Sequence, residues 1–158
     1  MSNSIAFRDV EDQQKSILND LGKIFIPCLD RKLRQKGGLE FVLLYGSRAR
    51  GDYRWNSDID IIVCSEAFEG IRTLDRPDVV YSCPQRGAIE PICYTPREIW
   101  QALEDNRLTI LDALETGIVL YEQGVLLQQL RQCFANKKSQ GLLTQFTIAG
   151  NKMWRVEN

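Results

Sequence analysis

A chain of 158 residues suits one ordinary domain, and 44% hydrophobic with 26% charged residues excludes a disordered, collagen-like or low-complexity architecture. Histidine is absent altogether, which excludes Ser-His-Asp and Cys-His catalysis, His-ligated zinc and any acid or base built on imidazole. The net charge of −1 divides unevenly into +3 over residues 1–56, −8 over 57–122 and +4 over 123–158, without the overall basic excess of a general nucleic-acid binder.

From Glu11 to Lys36 the apolar residues Ile17, Leu18, Leu21, Ile24, Phe25 and Leu29 recur at helical spacing. The pattern predicts a long helix, kinked or divided at Pro27 and stopped by Gly37-Gly38. Arg31, Lys32, Arg34 and Lys36 read as its solvated end. Phe41–Tyr45 predicts a strand buried on both faces, followed by a loop or short helix over 47–57 and a second strand from Asp58 to Val63. Two further strands, Asp78–Ser82 and Ala88–Tyr94, are expected around a turn at Pro84–Gly87. Thr95-Pro96-Arg97-Glu98 supplies an N-cap, a first-turn proline and a capping-box acid for a helix carrying Ile99, Trp100 and Leu103. A helix over Leu108–Glu115, a strand over Ile118–Tyr121 and a helix over Val125–Phe134 follow. The expected domain is 1–136, with its core motifs in 38–122. Residues 137–158 form an extension whose Phe146, Ile148 and Trp154 could dock on the body or on a partner.

The five cysteines are odd in number and include no C-x-x-C pair, so free thiols in a reducing compartment are expected. Met1–Asp12 has no apolar signal-peptide core, and no apolar run reaches ~20 residues, so the expectation is a cytoplasmic chain without a membrane span.

Asp58 and Asp60 lie one residue apart on a predicted strand, and the two-residue period puts both carboxylates on one face. Such a pair is costly without a cation, and a hard divalent ion such as Mg²⁺ is the usual solution. A solvated strand edge would explain an isolated D-x-D equally well, but here the strand Phe41–Tyr45 runs straight into Gly46-Ser47-Arg48-Ala49-Arg50-Gly51. Gly46 allows a sharp turn and close approach of a ligand. Ser47 can offer its hydroxyl and N–H to a phosphate, and Arg48 and Arg50 can add charge-assisted contacts. Asp52 stands where a P-loop would place lysine, so that reading fails.

These residues, with ten between Ser47 and Asp58, resemble the G-S-x-A-R-G … S-D-x-D signature of the DNA polymerase β-like nucleotidyltransferase superfamily. Within it they are most similar to the small minimal nucleotidyltransferases, the MNT group. A weaker similarity extends to Ile92–Pro96 with Glu98 and to Gly117–Glu122. The resemblance implies an α+β fold, a mixed β-sheet flanked by α-helices. It implies transfer of a nucleoside monophosphate from an NTP, with ATP the first expectation, to an acceptor hydroxyl with release of pyrophosphate. Asp58 and Asp60 would hold Mg²⁺, with two ions expected. Gly46 and Ser47 would hold the triphosphate, assisted by Arg50. A third carboxylate would ligate metal and deprotonate the acceptor; Glu90 is the candidate and Asp78 the fallback, and Pro91 puts the Glu90 strand near a sheet edge.

The resemblance also implies an acceptor on a HEPN-type helical partner, as in a toxin–antitoxin pair, or on a small molecule, with a shared site in a homodimer as a further arrangement. Nucleic acid is disfavoured as a partner by the absence of a basic track. The alternative reading is a non-catalytic, antitoxin-like binding module whose site is vestigial.

Overall fold

In the computed structural model, which describes residues 2–157 and their side chains from Val10 onward, the N-terminal helical pattern becomes α1 (Ser2–Asp20), a π-helical turn (Leu21–Phe25) and α2 (Ile26–Leu33). The division expected at Pro27 takes the form of this widened turn. The Ile26 amide reaches back to the Leu21 carbonyl, and Pro27, which has no amide hydrogen, enters the helix that follows. Leu21, Phe25, Ile26, Leu29 and Leu33 are buried along one face.

Four strands form the central sheet in the order β3-β2-β1-β4: β1 (Leu39–Tyr45), β2 (Ile59–Ser65), β3 (Ile89–Tyr94) and β4 (Ile118–Glu122). β1 runs antiparallel to β2 and β4, and β2 runs parallel to β3, so the sheet is mixed as expected. Pro91 sits on β3, an edge strand, where its missing amide costs no ladder bond. Alternation along β1 and β2 divides the core. Val42, Leu44, Ile59, Ile61 and Val63 pack under α1 and α2. Phe41, Leu43, Ile62 and Cys64 pack under α5 (Pro96–Glu104), α6 (Leu108–Thr116) and α7 (Leu126–Ser139). All five cysteines are free thiols, three of them buried. Among the described residues no helix is long and apolar enough to cross a membrane.

One expected strand is a helix. Residues Arg76–Tyr81 form α4, following the one-turn helix α3 (Ser47–Arg50) in chain order. Val79-Val80 and Tyr81 read as a β-rich run, but Pro77 in the first turn and Asp78 near the positive end of the helix favour this conformation. Arg76 then locks α4 in place. Its guanidinium donates to the carbonyls of Ile71 (2.9 Å) and Cys93 (3.2 Å) and pairs with Glu98 (2.5 and 2.9 Å). Since Cys93 lies near the C-terminal end of β3, this anchor holds the first turn of α4, with Asp78, at the opposite end of that strand from Glu90.

Glu98 also closes the expected capping box with Thr95. The hydrogen bond from Arg76 holds its carboxyl below the usual range near 4.5, outweighing the effect of burial. A lowered folded-state pKa contributes stability above the ordinary carboxylate range, lost as pH falls through the lowered value. Glu98→Gln is expected to cost about 1–2 kcal/mol at neutral pH and to flatten the acid limb below about pH 4.5. Urea denaturation of both proteins across that range checks it.

The C-terminal residues dock on the body. α7 continues to Ser139, and β5 (Leu143–Ile148) and β6 (Asn151–Val156) form a hairpin around Ala149-Gly150. Both turn residues have positive φ (48° and 82°), the geometry a tight two-residue hairpin requires. Leu143 is buried, and Trp154 packs edge-on against Phe134 at 5.7 Å while its indole N–H donates to Asp112 Oδ1 at 2.8 Å.

Candidate active site

β1 delivers the chain to Tyr45 and then must turn at once into α3. Gly46 makes the turn at φ 72° and ψ −154°, a region closed to residues with a side chain. Its α-carbon also lies against Asp60, so that a Cβ there would collide with Oδ2 of that carboxylate. The amides of Ala49 and Arg50 both donate to the Gly46 carbonyl, at 3.2 and 3.0 Å. Ser47 and Arg48, at the start of the turn, therefore present amides without an intrahelical acceptor. Gly46→Ala is expected to lose about 2–3 kcal/mol of stability from backbone strain and to displace Asp60. Chemical denaturation together with metal titration of the variant checks both effects.

The strand register places Tyr45, Asp60 and Glu90 in one row across β1, β2 and β3, on the sheet face that carries Leu43 and Ile62. Asp58 lies two residues before Asp60, at the entry to β2. The electrostatics show how near these carboxylates are. Burial first, then the charge of Asp58, raises the pKa of Asp60. The charge of Asp58 first, then loss of hydration and the charge of Asp60, raises that of Glu90. Tyr45 is pushed up to about 12 by burial, with Asp60, Tyr94 and Glu90 contributing. Arg50 and Arg48 act in the opposite direction on Asp60. Among the described residues no three carboxylate or thiol side chains converge tightly enough to form a closed metal cage. The acids form an open row of hard oxygen donors whose mutual repulsion Arg50 and Arg48 offset only in part, and that donor set fits a divalent cation such as Mg²⁺.

A family profile described as polymerase beta, nucleotidyltransferase, matches residues 29–124, more than half of the chain. The chain belongs to this nucleotidyltransferase family. A crystal structure of a protein from Sulfolobus solfataricus, described as a candidate nucleotidyltransferase, shares the fold: 23% identity, 72% of this chain, 87% of the other and a TM-score of 0.50. A toxin–antitoxin crystallised with AMP-PNP matches at 15% identity over 72% of this chain and 86% of its own, with a TM-score of 0.45. A variant of the toxin–antitoxin MntA–HpeT matches at 13% identity over 70% and 83%, with a TM-score of 0.42. No curated protein matches the sequence significantly.

Within this nucleotidyltransferase, the residues singled out in the sequence take different places. Gly46, Ser47, Asp58, Asp60 and Glu90 gather where β1, β2 and β3 meet α3. Arg50 is partly exposed beside them and approaches Asp52 at 3.4 Å. Arg48 is buried and engaged elsewhere. Its Nε and Nη2 donate to the Ser57 carbonyl at 3.0 and 2.7 Å, and its Nη1 donates to Gln14 Oε1 at 2.7 Å. Gln14 in turn donates to the Arg48 carbonyl at 3.1 Å. Arg48 thus ties α1 to the loop that delivers Asp58, with Tyr53 stacked 5.5 Å from its guanidinium carbon. Tyr45 escaped the sequence reading as a site residue. Its only signal was its place as the last strand residue before Gly46.

Proposed function

We propose that this nucleotidyltransferase moves a nucleoside monophosphate, AMP from ATP in the first instance, onto an acceptor hydroxyl, with Asp58, Asp60 and Glu90 as its acidic centre. The observation that carries the reading is the row of repelling carboxylates across β2 and β3, directly beside the Gly46-Ser47 turn.

Asp58 and Asp60 would hold Mg²⁺, one or two ions, with Glu90 as the neighbouring third carboxylate. The bound metal would neutralise charge on the transferring phosphoryl group and on the leaving pyrophosphate. The chain's own residues supply the rest. Gly46 keeps the backbone low enough for a triphosphate to approach, and the Ser47 and Arg48 amides with the Ser47 hydroxyl face its oxygens. Arg50 adds a charge-assisted contact. Glu90, with its raised pKa, accepts the proton of the acceptor hydroxyl.

The described residues after β4 make one helix and a hairpin. The acceptor hydroxyl would lie on a HEPN-type partner protein or on a small molecule, or the site would be shared in a homodimer. The test is incubation with Mg²⁺, α-labelled ATP and a partner encoded beside this chain. Label on the acceptor together with released pyrophosphate is expected. Partner neutralisation without any transfer, unchanged in Asp58→Ala, would instead establish a binding module.

A further inference from the structure

A cavity of about 570 Å³ opens between α3, α6 and the C-terminal hairpin. Arg50 and Asp52 line one wall, Asp112 and Thr116 the second, and Gln145, Asn151 and Lys152 the third. It adjoins the site described above. Ile118 pairs with Leu44, and a Cβ at Gly117, next to Thr116, would lie 3.3 Å from the Leu44 carbonyl, two residues before the Gly46 turn.

The hairpin is held so that one face looks into this cavity. Cross-strand pairs alternate faces, so Leu143 with Val156, Gln145 with Trp154, and Thr147 with Lys152 share one side. Leu143 is buried and Trp154 is pinned to Phe134 and Asp112, which identifies that side as the inward one. Lys152 therefore projects inward, beyond Trp154 toward the hairpin tip. Other cations of the C-terminal segment have partners: Lys138 pairs with Glu115 at 2.6 Å, Lys137 donates to Asn106 and the Leu103 carbonyl, and Arg155 stacks on Phe146. Lys152, among the described residues, has no carboxylate within ion-pair distance. Lys152 and Arg50 line a polar cavity that also carries the carboxylates of Asp52 and Asp112; Arg50 approaches Asp52 at 3.4 Å, whereas Lys152 has no such partner and is available to a phosphate oxygen.

We propose that the C-terminal hairpin is the second wall of the nucleotide site, with Lys152 contacting the phosphate chain opposite Arg50, and with Gln145, on the same face, turned toward the ribose and base. The inference rests on the function proposed above and assigns its nucleotide subsite. Asp112 couples the two walls. One carboxylate oxygen holds the Trp154 indole, and the other has no donor among the described residues and can accept from a ribose hydroxyl.

The test is equilibrium binding of a non-hydrolysable ATP analogue with Mg²⁺ to the full chain. Lys152→Ala is expected to weaken binding about tenfold to a hundredfold, and Lys152→Arg to restore most of it. Adenosine alone should bind both proteins equally. Arg155→Ala removes the same charge from the opposite face of β6 and should bind as the wild type does. Thermal melting confirms that each variant is folded. Unchanged analogue affinity in folded Lys152→Ala would overturn this assignment alone and leave the acidic centre standing. A change confined to the KM of the acceptor would also overturn it, because the cavity would then belong to the acceptor. Wild-type protein that binds no triphosphate with Mg²⁺ would sink both readings.

Discussion

Asp58→Asn and Asp60→Asn are expected to transfer nucleotide at least about a hundredfold more slowly than the wild type, while folding at least as well without metal. The rate loss follows from removing one hard ligand of a charge-neutralising metal, an effect of several kcal/mol on the transition state. The stability expectation follows from the repulsion. Asp60 and Glu90 have folded-state pKa values above the ordinary carboxylate range, because of burial and neighbouring negative charge. A raised folded value means that the stability present below the unfolded pKa is lost as pH rises through the folded one. Metal-free wild-type protein should therefore lose stability as pH rises from the ordinary carboxylate range toward neutrality. Asp58→Asn should reduce that loss, since the charge of Asp58 acts on both of the other acids. Mg²⁺ should reverse it in the wild type, by about 2.7 kcal/mol at a hundredfold excess over its Kd, and much less in the variants. Melting curves with and without Mg²⁺, run beside transfer assays, measure each part. Full transfer by either variant, or melting lowered by the substitution, would overturn the assignment.

The parts of this site that could be read from the sequence are those set by local rules. Gly46 follows the apolar run Phe41–Tyr45, and D-x-D follows with strand periodicity, so both halves of the motif stand at the same sheet end whatever the intervening loop does. Glu90 was a candidate because the resemblance implies a third carboxylate on a later strand, and the register sets it beside Asp60. Two kinds of feature were not legible. Val79-Val80 misled because β-branched pairs suit strands, whereas the tertiary anchor of Arg76 on Cys93 and Glu98 decides for a helix there. The hairpin was hidden because Ala149, an unusual residue for positive φ, occupies the turn in place of Asn or Asp. Its inward and outward faces emerge only once Trp154 is seen against Phe134.

Arg48 is the sharpest case of a residue whose chemistry was legible and whose partners were not, and it carries the second large expected effect. An arginine directly after Gly46-Ser47 invites the reading of a phosphate ligand, yet its guanidinium is buried against the Ser57 carbonyl and Gln14. Arg48→Ala would leave that carbonyl and the Gln14 oxygen unpaired in a part-buried setting, at an expected cost of about 3–4 kcal/mol. Arg48→Lys recovers little, because an ammonium cannot reproduce the planar fork that reaches both acceptors, so a loss of about 2 kcal/mol is expected. Gln14→Ala should cost less, and the double variant should be non-additive with it by at least about 0.5 kcal/mol, since both residues belong to one hydrogen-bond network. Because Ser57 directly precedes Asp58, activity should fall with stability and recover only in part when the protein is held folded at low temperature. A phosphate ligand would behave in the opposite way, with wild-type melting and selectively weakened triphosphate binding. Urea denaturation of the four proteins, set beside their analogue affinities, separates a strut that positions Asp58 from a hand that holds phosphate.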